Sequence, residues 1–127
     1  MNKLDLTFGY LPSFNKKWKR YNLTANDKKD LENQILQYVC NAPSNNYGRK
    51  FPGSIIEETS GAYKLRFAPK ASNTGKSGSY RTIYVAVANS NVYFLDIYAK
   101  KDQANISNSD KALLKSVIRK LKENKQQ

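Results

Sequence analysis

The residues of this chain that could do chemistry are mainly basic, and they are concentrated in one part of the sequence. Residues 61–101 hold seven Lys or Arg and a single acid, Asp96. The basic residues there are Lys64, Arg66, Lys70, Lys76, Arg81, Lys100 and Lys101. Ammonium and guanidinium groups bind phosphate oxygens and stabilise negative charge that develops during a reaction. The pattern therefore indicates a site for a polyanion, with nucleic acid as the first hypothesis.

The composition of the whole chain supports this hypothesis. Its 127 residues include 22 Lys and Arg against 10 Asp and Glu, which gives a formal net charge of +12. A small domain with this charge is attracted to polyanions, although a basic surface that only maintains solubility is the plain alternative. Tyrosines interleave with the basic residues and could stack on unpaired RNA bases, but packing in the core of a sheet is the competing explanation for each of them. They are Tyr63, Tyr80, Tyr84 and Tyr98.

Histidine is absent from the sequence, and Cys40 is its only cysteine. The commonest general base and metal ligand is therefore missing, so we expect no zinc site, no other metal and no cofactor. A lone cysteine cannot form an internal disulfide, which suits a reducing compartment. Cys40 follows the apolar residues 35–39 and is expected to pack in the core. No stretch approaches the roughly 20 apolar residues of a membrane span, so we expect a cytoplasmic protein with no membrane contact.

Three strands are predicted to position the basic residues. Residues 62–68, 79–88 and 91–99 form them, and the last two are rich in Val, Ile, Tyr and Phe. A tight hairpin at residues 89–91 joins these two. Their apolar residues fall on both faces, so the sheet is expected to be covered on each side for part of its length.

The spacing of the basic residues relates them to these strands. Lys64 and Arg66 are two residues apart, so they share one face of their strand. Arg81 lies near the start of the next strand, and Lys100 and Lys101 follow the last one. If the three strands are neighbours, these groups converge at one end of the sheet.

The remaining elements complete one α+β domain over residues 1–127, with helices before the sheet, a small twisted antiparallel sheet and a C-terminal helix. Thr24 and Asp27 form a capping box that starts a longer helix, and Ser107 with Asp110 caps the last one. A short strand at residues 2–8, a helix at 13–21 and a frayed tail at 122–127 are also predicted.

The loop between the first two basic strands contains Gly75-Lys76-Ser77-Gly78, which resembles part of a nucleotide-binding P-loop. Lys70 stands where that motif needs its first glycine, and no helix follows. We therefore expect a flexible loop that presents Lys76 to a phosphate, without nucleotide hydrolysis.

Three stretches together resemble a known family. They are residues 61–68 (GAYKLRFA), 80–84 (YRTIY) and 94–101 (FLDIYAKK). In this order, with a glycine-containing loop after the first and a polar turn and helix after the last, they are similar to the RelE and HigB toxins of bacterial type II toxin–antitoxin systems, within the RelE/ParE superfamily. The resemblance covers about residues 5–122 and is strongest over 61–101.

This resemblance implies a metal-independent endoribonuclease that cuts mRNA in the ribosomal A site by attack of the ribose 2′-OH on the adjacent phosphodiester. Carried over by position, Arg66 and Arg81 would stabilise the phosphate. One of Lys64, Lys76 and Lys100 would transfer protons. The expected RNA-binding residues are Lys70, Tyr84, Tyr98 and Lys101.

The resemblance also implies partners and leaves alternatives. The partners are mRNA with the ribosome and a cognate antitoxin, HigA-like with a helix-turn-helix domain. Some RelE members have a catalytic tyrosine where this chain has Asn105, Ile106 and Ser107, so either Tyr98 replaces it or no tyrosine is needed. The alternative functions are a non-catalytic RNA- or ribosome-binding module and a ParE-like gyrase poison, which shares the fold but lacks the basic catalytic set.

Overall fold

The computed structural model describes residues 6–41, 50–69, 79–88, 90–101 and 105–125. Their strands are β1 (Thr7–Tyr10), β2 (Ser54–Ile55), β3 (Tyr63–Phe67), β4 (Tyr80–Val87) and β5 (Asn91–Ala99). The helices are α1 (Pro12–Arg20), α2 (Ala25–Cys40) and α3 (Asn108–Lys125). The order of these elements confirms the predicted α+β fold.

The five strands form one sheet in the order β1-β5-β4-β3-β2. β1 pairs with β5 in parallel, and the other three pairs are antiparallel. The three predicted strands are therefore neighbours, as the sequence suggested. Between β4 and β5 the register shifts once: Ile83 pairs with Asp96 and Tyr84 with Phe94, so Leu95 is the extra residue of a bulge.

Both faces of the sheet are covered, which confirms the expectation from its apolar pattern. On one face, α1 and α2 pack onto the sheet through Phe14, Trp18, Leu31 and Ile35. On the other face, α3 packs through Leu114 and Ile118 onto a second cluster that includes Ile83 and Tyr98. The two faces of β4 and β5 therefore belong to different cores. For this reason the sequence of each of these strands is almost continuously apolar.

Aromatic rings around Phe94 form the centre of the first core. The ring centroid of Phe94 lies 6.1 Å from that of Phe8, 5.1 Å from Tyr10, 5.4 Å from Phe14 and 5.9 Å from Tyr84. Such ring pairs stabilise a fold beyond the area they bury. Because these rings belong to β1, α1, β4 and β5, the cluster ties the sheet to its first helix.

The outer edge of β5 is covered in two ways. β1 pairs only with residues 91–94, and α1 follows at once because Pro12 suits the first turn of a helix. The Leu11 N–H donates to the Phe94 carbonyl at 3.1 Å, and the Ala99 N–H donates to the Tyr21 hydroxyl at 3.1 Å. The Tyr21 hydroxyl therefore ties the end of β5, next to the basic turn, to the residue that follows α1.

Local predictions had mixed outcomes. The capping box is confirmed, since the Asp27 N–H donates to Thr24 Oγ1 at 3.1 Å and the Thr24 N–H donates to Asp27 Oδ2 at 2.9 Å. The Ser107 cap is confirmed by a 3.1 Å bond from the Asp110 N–H. The first strand is found later than predicted, at Thr7–Tyr10, and residues 1–5 lie outside the described part.

The prediction for Cys40 was wrong. Cys40 is exposed, because it follows Val39 at the end of α2 and lies off the stripe that Val39 shares with the core. α3 continues to Lys125, and Lys122 Nζ donates to the Ser60 carbonyl at 2.8 Å, which ties this part of α3 to the β2–β3 turn; residues 126–127 of the predicted tail lie outside the described residues. Among the described residues, no helix is both long and apolar enough to cross a membrane.

Candidate functional site

A row of three side chains crosses β3, β4 and β5 near one end of these strands. Arg66 on β3 is paired in register with Arg81 on β4, and Arg81 is paired with Tyr98 on β5. Directly opposed residues project on the same face of a sheet, and like charges in that position destabilise it. Tyr98 belongs to the core beneath α3, so the row lies on the α3 face. Two opposed guanidinium groups are a cost to the fold that a binding role would explain.

Lys64 extends this cationic surface by one row. It lies two residues before Arg66, so its side chain shares the α3 face, and it is paired with Ile83. Its side chain is partly exposed, whereas Arg66 is exposed. Lys64, Arg66 and Arg81 therefore lie on adjacent positions of two neighbouring strands.

The turn after β5 lies at the same end of the sheet as Arg81. Lys100 and Lys101 are both exposed there. The Lys100 N–H donates to the Ser79 carbonyl at 3.4 Å, immediately before β4. Lys70 and Lys76, the other two predicted cations, lie outside the described residues.

Asp96, the only acid of the basic segment, does not neutralise this surface by itself. Its carboxylate accepts a 2.8 Å salt bridge from Lys17 Nζ of α1. It is paired with Ile83, two residues away from Tyr98 along β5. Lys17, from outside the basic segment, therefore balances this acid, and within the described residues Asp96 forms no ion pair with Arg66 or Arg81.

Arg81 and Tyr98 share an unusual feature. Arg81 Nη1 and the Tyr98 hydroxyl are both buried, and neither makes a hydrogen bond in the described part of the chain. A buried polar atom without a partner costs about 1–3 kcal/mol. Burial raises the pKa of Tyr98, Arg81 opposes that shift and Asp96 adds to it, so the phenol is neutral at physiological pH. The guanidinium of Arg81, at the centre of the row, therefore has a donor that no described group uses.

Neither tyrosine predicted to bind RNA offers its ring to a base. Tyr84 is fully buried on the opposite face of the sheet, where its hydroxyl donates to the Pro52 carbonyl at 2.6 Å. Its burial also raises its pKa. Tyr98 is only 3% exposed. The prediction was wrong for Tyr84, because residues that alternate along β4 serve two different cores, and Tyr98 cannot stack on a base in this arrangement.

A substitution tests the structural role of Tyr84. Tyr84→Phe should lower the free energy of unfolding by about 1–3 kcal/mol, because it leaves the buried Pro52 carbonyl without its donor. Urea unfolding followed by fluorescence measures this. Tyr93→Phe, at a partly exposed site on β5, is the matched control and should change stability by less than about 0.5 kcal/mol. Equal effects of the two substitutions would contradict the assignment.

Sequence reasoning missed some residues that lie beside Lys64. A groove there is also lined by Glu57, from the turn after β2, and by Lys111, from the first turns of α3. These residues are far apart in the sequence and follow no motif spacing. Only the pairing of β2 with β3 and the position of α3 bring them together.

Comparison with known families identifies a match over the second half of the chain. Residues 54–127 match the family described as the RelE toxin of the RelE/RelB toxin–antitoxin system. The match covers more than half of the chain, from β2 to the end of α3. The chain belongs to the RelE toxin family. It is accordingly the toxin of a toxin–antitoxin pair, and its partner is a cognate antitoxin. A search of curated proteins returned no match.

Proposed function

We propose that this toxin is a metal-independent endoribonuclease that cuts mRNA in the ribosomal A site. The observation that carries the proposal is the opposed pair Arg66 and Arg81 beside Lys64, in which Arg66 is exposed and Arg81 is partly exposed. Paired guanidinium groups suit the oxygens of a phosphodiester, because each presents a planar fork of donors. A row that only stabilised the fold would not oppose two like charges.

The proposed reaction needs no group from outside the chain and its substrate. The ribose O2′ attacks phosphorus, the P–O5′ bond breaks, and the products are a 2′,3′-cyclic phosphate and a 5′-hydroxyl. Arg66 and Arg81 stabilise the negative charge of the pentavalent phosphate. One of Lys64, Lys76 and Lys100 accepts the proton of O2′ in its neutral amine form, and another in its ammonium form donates one to O5′.

The remaining assignments concern the flanking RNA, Tyr98 and the antitoxin. Lys70 and Lys101 contact the phosphates of the flanking RNA. Tyr98 is not assigned proton transfer, because its hydroxyl is buried and its pKa is raised. The cognate antitoxin, which we propose to be HigA-like with a helix-turn-helix domain, neutralises the toxin by covering the basic surface in the cytoplasm.

Mapping of mRNA ends tests the proposal and separates it from its alternatives. Primer extension on mRNA from a translation extract should show new 5′ ends within translated codons, and none in the same mRNA without ribosomes. A non-catalytic ribosome-binding module would inhibit translation without new ends. A ParE-like poison would leave the mRNA intact and trap gyrase on cleaved DNA. Either of these two results contradicts the proposal.

The affinity of the toxin for ribosomes should also depend steeply on salt. Five described cations can face RNA phosphates, namely Lys64, Arg66, Arg81, Lys100 and Lys101. If all five make contacts, the logarithm of the association constant should fall with the logarithm of salt concentration with a slope of about −3 to −4. Sedimentation with ribosomes at several salt concentrations measures this slope. A slope near zero would exclude the basic surface as the contact.

A further inference from the structure

A groove lies next to Lys64, between β2 and the beginning of α3. Its volume is about 350 Å³, within the range of sites that hold small organic ligands. Three isoleucines line part of it, and they are Ile55, Ile56 and Ile106. Ile55 is 56% exposed, one of two large apolar side chains so exposed among the described residues. The groove therefore combines an apolar wall with an opening beside Lys64, one of the three lysines proposed for proton transfer.

The charged groups of the groove come from three separate segments. Lys64 belongs to β3, Lys111 to α3, and Glu57 to the turn between β2 and β3. Neither lysine forms an ion pair within the described part of the chain. Two cations thus border the groove with their charge available to an anion, and one carboxylate shares the same space.

Hydrogen bonds of a buried threonine hold the turn that carries Glu57 in place. Thr59 is fully buried; its hydroxyl donates to the Ile56 carbonyl at 2.7 Å and accepts from the Ala62 N–H at 3.1 Å. The Ile56 N–H donates to the Ala62 carbonyl at 2.8 Å. Glu57 lies within this hydrogen-bonded turn, so its backbone loses little conformational freedom on binding, which favours selective recognition.

We propose that this groove holds the nucleotide next to the scissile phosphate and that Glu57 selects its base. The proposal rests on the ribonuclease function proposed above. Lys111 binds the phosphate that flanks this nucleotide, and the isoleucines contact the face of the base. The Glu57 carboxylate accepts hydrogen bonds from the base edge.

The chemistry of Glu57 predicts which bases it favours. A carboxylate only accepts hydrogen bonds, so it favours bases that carry an exocyclic amino group, which are adenine, cytosine and guanine. Uracil has no amino group, and its single ring N–H lies between two carbonyl oxygens that repel a carboxylate. The toxin should therefore cut least often where uracil occupies this position.

Cut sites mapped by sequencing of 5′ ends test this directly, with one pair of matched variants. In the parent, uracil at one of the two positions flanking the cut should be depleted about tenfold relative to the other bases. Glu57→Gln adds an amide donor that can pair with uracil carbonyls, so this depletion should disappear. Glu58→Gln makes the same change at the neighbouring exposed residue, which does not line the groove, and should leave the pattern unchanged.

A second pair of variants tests the phosphate contact. Lys111→Ala should reduce cutting about tenfold at all sequences without changing the base pattern, because a phosphate contact carries no base information. Lys115→Ala, one turn further along α3 and exposed, should have no effect. Thermal unfolding of all four variants checks that they fold.

The outcomes distinguish this proposal from the one on which it rests. If the parent cuts translated mRNA but Glu57→Gln keeps the parental base pattern, the groove proposal is overturned and the ribonuclease function stands. A change of pattern in Glu58→Gln equal to that in Glu57→Gln overturns the groove proposal too. If the parent cuts no translated mRNA, the ribonuclease function fails, and the groove proposal fails with it.

Discussion

Arg81→Met is expected to abolish RNA cleavage while leaving the folded protein at least as stable as the parent. The cleavage rate should fall by about 10²–10³, because a donor to the developing phosphate charge is removed. The free energy of unfolding should rise by about 1 kcal/mol, because the buried Nη1 atom that lacks a partner is removed and methionine keeps most of the apolar stem. Single-turnover cleavage on programmed ribosomes and urea unfolding measure the two quantities.

Two further variants serve as controls for Arg81. Arg119→Met makes the same change at an exposed position of α3 and should alter neither quantity appreciably. Arg81→Lys keeps the charge but loses the planar fork, so its cleavage rate should lie between those of the parent and Arg81→Met. Loss of stability in Arg81→Met would contradict the claim that the unpaired Nη1 atom destabilises the fold. Equal loss of activity in Arg119→Met would contradict a specific role of Arg81 on the phosphate.

Phe94→Ala is expected to have the largest effect on stability. Phe94 is fully buried and its ring lies within 6.1 Å of four other aromatic rings. Replacing a buried phenylalanine by alanine costs about 3–5 kcal/mol through lost transfer energy and the cavity it leaves. Thermal and urea unfolding should show this loss. Toxicity should also fall because less of the protein is folded. Arg81→Met, in contrast, should lose toxicity while it stays folded.

The control for Phe94→Ala is Leu113→Ala. Leu113 is 65% exposed on α3, so its removal should change stability by no more than about 0.5 kcal/mol. If Phe94→Ala were as mild as Leu113→Ala, the aromatic cluster would not be the contact that joins α1 and β1 to the rest of the sheet.

The sequence was sufficient to predict the elements around the site. Runs of Val, Ile, Tyr and Phe define β4 and β5, and short polar turns end them, so local preference and structure agree. The caps at Thr24 and Ser107 depend on contacts three residues apart, which a sequence shows directly. The spacing of Lys64 and Arg66 likewise predicted their common face, because strand geometry alone requires it.

Register and the choice of face could not be predicted. A slip of one residue between β3 and β4 would place Arg66 and Arg81 on opposite faces, and only tertiary packing fixes this pairing. The bulge at Leu95 shifts the alternation of side chains between the two faces of β5, between Phe94 and Asp96. For the same reason the sequence did not reveal that Tyr84 points into the core beneath α1 and α2.

Sequence patterns could not predict the groove beside Lys64. Glu57 and Lys111 are separated by most of the sheet along the chain, and neither belongs to a motif. Lys17 is a similar case, because its salt bridge with Asp96 joins α1 to β5 across 79 residues. Such groups become visible only once the sheet order and the path of α3 are known.

The central claim is that the toxin cleaves RNA through the ribose 2′-hydroxyl, with Arg66 and Arg81 on the phosphate. It is tested most directly with a ribosome-bound mRNA that carries a single 2′-deoxynucleotide at a mapped cut site. We expect the unmodified mRNA to be cut there, with a 2′,3′-cyclic phosphate and a 5′-hydroxyl at the new ends, and the modified mRNA to stay intact at that position. Continued cutting at the 2′-deoxynucleotide would contradict the claim.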